Sequence, residues 1–306
     1  MHLIVPFAAP LSEAGRHALQ TLRLPHLDAL LARCDDGRRD DGDEHSFTPP
    51  HERALARALG FAGADGELPW AAWMAQHDGV DTDDLAWGLL TPSHWEVGAD
   101  HVRLDDPAAL KLSDAVSRAF FDAVHPLFQS EGVLLVYGAP LRWYVAHESL
   151  AHLPTASLDR AIGSHVETWL PTAREGRLMR RLQNEAQMLL YNHPLNLERE
   201  ARGELAVNSF WLSGCGLPQP VRADAEPPLL DHRLRRAALA EDWAAWTDAW
   251  RALDAELGVR LRDTAATLVL CGQRHAVRFD TRPPSLWQRV RATLHTRSST
   301  AVLESL

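Results

Sequence analysis

Hydrophobic and polar positions follow two periods along the chain, one typical of strands and one typical of helices. Residues 2–7 form a short apolar run closed by Pro6, and residues 12–34 carry leucines at helical spacing that Pro25 interrupts. Short apolar runs predict further strands at residues 85–90, 133–137, 142–145, 265–271 and 274–279, and in the run that ends at residue 216. Strands that alternate with helices indicate an α/β fold.

Three longer stretches have the apolar spacing of amphipathic helices. Residues 113–128 begin with Ser113 and Asp114, which favour a helix start, and residues 174–191 carry one apolar face. The third stretch spaces its apolar side chains three and four apart, at Leu239, Trp243, Trp246, Trp250, Leu253 and Leu257. Because this seam is shorter than three heptads, we expect it to pack on the protein's own sheet. A short helix is expected after Pro284.

The charged run at residues 35–44 is typical of a solvated loop. Its carboxylates could bind a hard cation, but their spacing is not that of a calcium loop. After Thr48-Pro49-Pro50, a helix is expected to reach Leu59, with Gly60 as its cap.

The composition excludes several classes of protein. The net charge of −10 argues against nucleic-acid binding, which depends on neutralising phosphates. No apolar run reaches the ~18 residues of a membrane span, and the first residues lack the features of a signal peptide. The three cysteines are too widely spaced for a disulfide framework or a zinc motif. We therefore expect a soluble, cytoplasmic protein.

The most informative segment lies between residues 193 and 216. It places His193, Asn196 and Arg199 within seven residues. An apolar run follows and ends on Gly214 and Gly216. A guanidinium can grip a phosphate or carboxylate with two hydrogen bonds, and glycines let backbone N–H groups approach an anion. The same spacing also fits a helix end, a turn and an ordinary strand, with the arginine paired to a neighbouring glutamate.

This segment resembles the signature of a known enzyme family. One block follows the pattern H-P-x-N-x-x-R and the next follows N-x-x-W-L-x-G-x-G, through His193, Pro194, Asn196, Arg199, Asn208, Trp211, Leu212, Gly214 and Gly216. Together they are similar to the signature of archaeal-type cofactor-independent phosphoglycerate mutases, which belong to the alkaline-phosphatase-like superfamily. The nearest variant is a bacterial offshoot often labelled a phosphoglycerate mutase or an RpfE-type regulatory protein.

Weaker similarities extend the resemblance through most of the chain. Residues 137–145 resemble the family's G-x-x-Y-R-x-L-V segment and place Arg142 at its arginine. The resemblance implies a degenerate alkaline-phosphatase-like core sheet flanked by helices at residues 1–65 and 215–306, with an inserted smaller α+β domain of substrate type at residues 66–214. It also implies a candidate anion site made of Arg142, His193, Asn196, Arg199, Asn208, Gly214 and Gly216.

The residues that carry the family's chemistry are not found at the matching positions. The family holds two divalent metal ions, such as manganese or zinc, through Asp and His, and uses a Ser or Thr nucleophile. Here the first strand ends at Phe7 in place of Asp, and the last strand ends at Cys271 with no Asp-His after it. The nucleophile position falls near His51, with Thr48 and Ser46 close by. We therefore expect no metal cofactor and assign no catalytic residue.

The leading hypothesis is a divergent, non-catalytic relative of these mutases with a regulatory role. It would bind a small phosphorylated or carboxylate metabolite, or a protein partner, but neither nucleic acid nor a membrane. Whether the chain is an enzyme stays open, because an active mutase or phosphatase with relocated metal ligands is one alternative. Those ligands would be Asp40, Asp43, Asp231 and His232. A protein-interaction module that uses the tryptophan-bearing helix is the other alternative.

Overall fold

Strands and helices alternate along the chain, as the pattern of apolar positions predicts. The computed structural model describes residues 1–34, 37–224, 227–261, 265–281 and 298–306. The strands are β1 (His2–Val5), β2 (Arg38–Asp40), β3 (Trp87–Ser93), β4 (Trp95–Val97), β5 (Val102–Leu104), β6 (Leu134–Ala139), β7 (Arg142–Ala146), β8 (Ser209–Gly216), β9 (Leu229–Leu230), β10 (Ala266–Cys271) and β11 (Ala276–Thr281).

The helices have the lengths that the apolar spacing requires. They are α1 (Glu13–Thr21), α2 (Pro25–Leu31), α3 (Pro50–Leu59), α4 (Trp70–His77), α5 (Asp114–Ser130), α6 (Leu158–Ala161), α7 (Val166–Trp169), α8 (Arg177–Tyr191), α9 (Pro194–Ala201), α10 (Arg235–Leu239), α11 (Trp243–Arg260) and α12 (Ser299–Glu304). Ser113 caps α5 by accepting a hydrogen bond from the N–H of Val116, and Gly60 ends α3 in the left-handed conformation, both as predicted.

The described residues form two compact units. Unit 1 comprises Met1–Gly60 and Val221–Leu306, and unit 2 comprises Phe61–Pro220. The division of roles between a phosphatase-like core and a substrate-type domain, with boundaries at residues 65/66 and 214/215, stays a prediction.

Unit 1 is built on a mixed five-stranded sheet. The strand order is β2-β11-β10-β1-β9 among the described residues, with β1 parallel to β10 and β9, and β11 antiparallel to both of its neighbours. Alternate side chains of these strands, such as Leu3, Val5, Leu268 and Leu270, enter a core shared with α1, α2 and α11. Helix α3 packs on the strands β1, β10 and β11. The predicted α/β fold with a helix-flanked core sheet is thereby confirmed.

Helix α11 is joined to the end of β1 by two tryptophans. The indole Nε1–H of Trp246 donates to the carbonyl of Phe7 at 3.0 Å, and that of Trp250 donates to the carbonyl of Ala8 at 3.2 Å. Both side chains are fully buried. The prediction that this seam packs on the protein's own sheet is confirmed, and the residues on which the interaction-module alternative rests lie inside unit 1.

Unit 2 is built on an antiparallel four-stranded sheet of order β6-β7-β3-β8. Side chains on one face, such as Trp143 and Phe210, join a core with α5 and α8. Those on the other face, such as Trp87 and Tyr144, pack on the alanines of α4. Because both faces of this sheet are covered, β3 and β8 are buried at nearly every position, including their small polar residues.

Three predictions from the pattern were wrong in part. Strand β2 lies within the predicted charged loop, because its pairing with β11 depends on backbone groups and not on apolar side chains. Helix α9 replaces the predicted turn after His193, because a proline at the first helical position starts a helix and does not end one. For the same reason Pro25 begins α2 where it interrupts the first helix. Residues 282–297, which hold the start of the helix expected after Pro284, lie outside the described residues.

No helix among the described residues is long and apolar enough to cross a membrane.

Replacing Trp246 by Ala should cost about 3–5 kcal/mol of unfolding free energy, because it leaves a cavity and an unpaired buried carbonyl at Phe7. Urea unfolding followed by circular dichroism measures this loss. Trp243→Ala is the matched control on the same helix, since Trp243 is only half-buried and should cost clearly less. Equal losses in the two variants would contradict the role given to Trp246.

Candidate functional site

The segment that resembles the mutase signature, residues 193–216, lies in unit 2, and we call it the resemblance block. It begins at the N-terminus of α9. The ring nitrogen Nδ1 of His193 accepts a hydrogen bond from the N–H of Leu195 at 3.4 Å and so caps the helix. Pro194 follows at the first helical position, where no N–H is needed. The histidine ring also lies 6.0 Å from that of Phe120. His193 and Pro194, the first two residues of the block, therefore start a helix.

Asn196 and Arg199 lie on one face of α9, three residues apart, and both are directed at backbone. The Asn196 amide donates to the carbonyls of Leu190 and Val207 at 2.9 and 2.8 Å. Its oxygen accepts from the N–H of Val207 at 2.9 Å. The two bonds to Val207 join α9 to the segment that leads into β8, and the bond to Leu190 joins it to the end of α8.

The guanidinium of Arg199 is buried beside the same segment. It donates to the carbonyls of Leu205 and Leu110 at 2.8 and 2.7 Å, and it pairs with Glu204 at 3.1 Å. Burial lowers the pKa of Arg199, while the charge of Glu204 opposes that shift. The sequence suggested a pair with a neighbouring glutamate on the helix surface; the observed partners are mainly backbone carbonyls, and the side chain is only 3% exposed.

Asn208, Gly214 and Gly216 also meet protein groups. The Asn208 amide exchanges two hydrogen bonds with the backbone of Trp95, at 2.7 and 2.9 Å. Gly214 has a positive φ of 63°, and a Cβ there would lie 2.9 Å from the Cβ of Trp70 and 3.0 Å from the N of Ala71. The close approach that the glycine permits is that of α4, and not that of a ligand.

Arg142 stands apart from the rest of the predicted anion site. Its Nε and Nη2 both donate to Asp78 at 2.9 Å, and the Tyr144 hydroxyl donates to the same carboxylate at 2.6 Å. Arg142 and Arg199 share no hydrogen-bond partner. The structure thus joins Asn196, Arg199 and the lead into β8 but does not join them with Arg142, and anion binding by this set stays a prediction.

In unit 1, the end of β1 is occupied by an aromatic pair. Phe7 has a positive φ of 56°, which is rare for a residue with a side chain. Its ring lies 5.6 Å from that of His51, which is buried near the N-terminus of α3 together with Thr48. At the end of the adjacent β10, burial raises the pKa of the Cys271 thiol, which therefore stays protonated. The strand ends thus present aromatic and neutral side chains.

A carboxylate beside these strand ends is held by two arginines, an arrangement that the sequence did not reveal. Asp40 accepts from Nε of Arg53 at 3.0 Å and also from Nη2 of Arg57. Burial alone would raise the pKa of Asp40, but the hydrogen bond from Arg57 and the charge of Arg53 outweigh it and lower that pKa. Asp40 lies thirteen positions before Arg53 and seventeen before Arg57. The pairing of β2 with β11 places it beside α3, which carries both arginines.

The residues considered above as relocated metal ligands do not form a metal-binding cluster among the described residues. Both oxygens of Asp231 accept from Arg233, which lowers the pKa of Asp231 against the opposing effect of burial. An oxygen of Asp43 accepts from the N–H of His45, and Asp40 is held as described. Within the part of the chain that the structure describes, no three His, Cys, Asp or Glu side chains are grouped so that they could hold a metal ion. The described residues therefore do not fit the two-metal site of the family.

A cleft of about 670 Å³ lies beside α3 on the unit 1 sheet. Small residues on both walls leave the space, namely Ala54 and Ala58 on the helix and Ala266 and Ala276 on the sheet. Its charged lining is formed by Arg38, Arg39, Asp40, Arg57, Arg222, Asp224, Arg278 and Asp280. Sequence reasoning missed this site because its residues are scattered. One sequence feature could have indicated the cleft. In β11, Arg278 and Asp280 alternate with the buried Phe279, which predicts that one face of this strand is polar.

Replacing Gly214 by Ala tests the close approach of β8 to α4. A Cβ at this positive φ should cost about 1–2 kcal/mol, and the contacts with Trp70 and Ala71 should add at least ~1 kcal/mol. Gly203→Ala is the matched control, since Gly203 has a similar φ of 71° and nothing within 4 Å of the added carbon. Thermal unfolding of both variants measures the difference. Equal losses would show that Gly214 is not needed for packing.

Replacing Asp40 by Asn should lower the unfolding free energy at pH 7 by about 1–2 kcal/mol, because two charged hydrogen bonds are lost. Since the pKa of Asp40 is lowered in the folded state, its stabilisation is complete above the unfolded value of about 3.9 and is lost as the pH falls through the folded value.

The gap between wild type and Asp40→Asn should therefore narrow below about pH 4. Asp248→Asn, which removes an exposed pair with Arg251, should change stability by less than about 0.5 kcal/mol at either pH. Urea titrations at pH 7 and at about pH 3 make the comparison. A gap that stays constant would contradict the pairing.

Comparisons with known proteins find similar sequences that carry one enzyme name. The chain is 26% identical over 215 residues to a 2,3-bisphosphoglycerate-independent phosphoglycerate mutase from Methanosarcina mazei, which covers 68% of this chain and 52% of the relative. A probable mutase of the same name from Geobacter sulfurreducens is 25% identical over 220 residues, with the same shares. The chain thus spans about half the length of the curated relatives it matches. No protein-family model matches the chain.

Two solved structures are similar at a low level. One is a cofactor-independent phosphoglycerate mutase from Thermoplasma acidophilum, with 13% identity, a TM-score of 0.37 and coverage of 100% of this chain and 98% of that one. The other is a protein from Pyrococcus horikoshii, with 14% identity, a TM-score of 0.45 and coverage of 92% and 87%. At these TM-scores the structural likeness adds nothing to the argument.

The sequence relatives overturn the expectation that the chain has no metal cofactor. Cofactor-independent phosphoglycerate mutases use divalent metal ions, so a metal requirement is a property of the family in question. The side-chain arrangement above shows only that the described residues of this chain do not form such a site. Over about two thirds of its length, the chain is thus similar to 2,3-bisphosphoglycerate-independent phosphoglycerate mutases, at 24–26% identity.

Proposed function

We propose that this phosphoglycerate mutase-like protein binds a small phosphorylated or carboxylate metabolite without converting it, and that it has a regulatory role. The observation that carries the proposal is the aromatic pair at the end of β1, where Phe7 stands in place of the family's carboxylate. The class of ligand follows from the relatives, whose name states that they act on phosphoglycerate.

The chemistry of phosphoryl transfer makes this position decisive. Such reactions depend almost entirely on positioning the phosphoryl group and on stabilising the charge that develops on it. A benzyl side chain offers neither a ligand atom nor a charge. The nearby carboxylate of Asp40 is already neutralised by Arg53 and Arg57, and its lowered pKa keeps it in that pair near neutral pH.

The contacts of Phe7 also indicate that its side chain stays at the strand end, in the position where the family has a carboxylate. Its carbonyl accepts from Trp246, and the N–H of the following Ala8 donates to the carbonyl of Cys271 at 2.8 Å. The Phe7 side chain is 7% exposed. The peptide group between Phe7 and Ala8 is thus held at its carbonyl and at its N–H, and the buried ring beside it has little room to move.

The test is to measure binding and turnover on the same preparation. With 3-phosphoglycerate and added Mn²⁺, Zn²⁺ or Mg²⁺, we expect interconversion slower than about 0.01 s⁻¹, against ~10 s⁻¹ for a typical enzyme. The Methanosarcina mazei mutase is the positive control for the assay. Calorimetry should show that 3-phosphoglycerate binds, while glycerol, its uncharged counterpart, does not.

Two outcomes would overturn the proposal. Turnover near that of the control mutase with any of the three metals would make the chain an enzyme. Absence of binding by 3-phosphoglycerate, by its bisphosphate and by small dicarboxylates alike would remove the ligand class.

A further inference from the structure

Arginines outnumber carboxylates around the cleft of unit 1, which we define as the arginine cleft. Five arginines and three aspartates line it, a local excess of positive charge in a chain whose net charge is −10. The arginines are Arg38, Arg39, Arg57, Arg222 and Arg278. A concave surface of one sign concentrates ions of the opposite sign.

Two of these arginines face each other with one carboxylate between them. Arg278 on β11 and Arg38 on β2 are direct partners across the antiparallel pair. Asp280 lies 3.0 Å from Nη2 of Arg278 and 3.5 Å from Nη2 of Arg38. Like charges directly opposite each other on neighbouring strands destabilise a sheet, and one carboxylate neutralises only one of the two.

The carboxylate of Asp280 is itself held by a side chain of the neighbouring strand. Thr267 on β10 donates a hydrogen bond to its Oδ1 at 2.7 Å. This bond fixes the carboxylate of Asp280, while the side chain of Arg38 is 78% exposed. Arg278 donates to Asp280 from Nε and Nη2 and to Thr267 from Nη2, while Arg38 donates to Asp280 from Nη2. Each guanidinium carries five N–H donors, so both keep donors that an incoming anion can use.

One pair on the other wall is easy to exchange. Arg222 has a side chain that is more than half exposed, and it pairs with the exposed Asp224 at 2.6 Å. Exposed pairs of this kind contribute little to stability. A ligand can therefore replace the carboxylate partner of Arg222 without disturbing the fold.

The size and chemistry of the lining restrict the ligand. A volume of about 670 Å³ is within the range of small-molecule sites and larger than a three-carbon phosphate needs. Phe, Tyr and Trp are absent from the described lining, where the imidazole of His2 is the aromatic group present, so the cleft offers little surface on which a nucleobase would stack. We propose that the arginine cleft binds a compact anion with several negative groups, such as an oligophosphate or a polycarboxylate. The proposal is independent of whether the chain converts phosphoglycerates.

Calorimetric titration with tripolyphosphate tests the site, with inorganic phosphate as the singly phosphorylated comparison. Tripolyphosphate should bind more tightly than phosphate, and its affinity should fall as the salt concentration rises. In the double variant Arg38→Gln/Arg278→Gln its Kd should rise at least ~10-fold, since two charged hydrogen-bonding groups are lost.

Arg251→Gln is the matched control, because Arg251 lies on α11 of the same unit in an exposed pair with Asp248 and does not line the cleft. It should leave the Kd unchanged. Arg222→Gln is a second variant on the opposite wall, for use if the double variant does not fold by circular dichroism. The proposal is overturned if tripolyphosphate does not bind the wild type, or if folded cleft variants bind it as well as Arg251→Gln does.

Discussion

The carbonyls that follow β1 impose the constraint on which unit 1 depends. Where the strand turns away from the sheet, the backbone of Phe7 takes a positive φ, and two successive carbonyls point into an apolar interior. Buried carbonyls need donors. The indoles of Trp246 and Trp250 supply them while burying two of the largest side chains of the unit. The same turn then presents the Phe7 ring to His51, so the packing of α11 decides what chemistry the strand end can offer.

Much of this fold could be predicted from the sequence because it rests on apolar spacing. The tryptophan seam predicted a helix packed on its own sheet, and α11 has that place. Strand β2 could not be predicted in this way. All three of its residues are charged, and its pairing with β11 uses only backbone groups, which every residue carries. The targets of hydrogen bonds are equally invisible in a sequence.

The resemblance block shows this limit most clearly. Its residues resemble a mutase signature, but residue type alone could not tell an anion from a backbone carbonyl as the partner of Arg199. Asn196 and Arg199 make five hydrogen bonds to main-chain groups, three of them in the segment that leads into β8. The arginine cleft could not be recognised for another reason: its five arginines come from β2, α3, β11 and the segment at residue 222, which only the fold brings together.

Strand β2 has a consequence for how copies of this protein meet each other. It is the outermost described strand of the unit 1 sheet on that side, so its outer edge is where another molecule's strand could add. With the sequence Arg-Arg-Asp, three residues long, this strand is too short and too charged to serve as a template for such pairing. The charges that make the cleft attractive to small anions therefore also keep the sheet from growing from one molecule into the next.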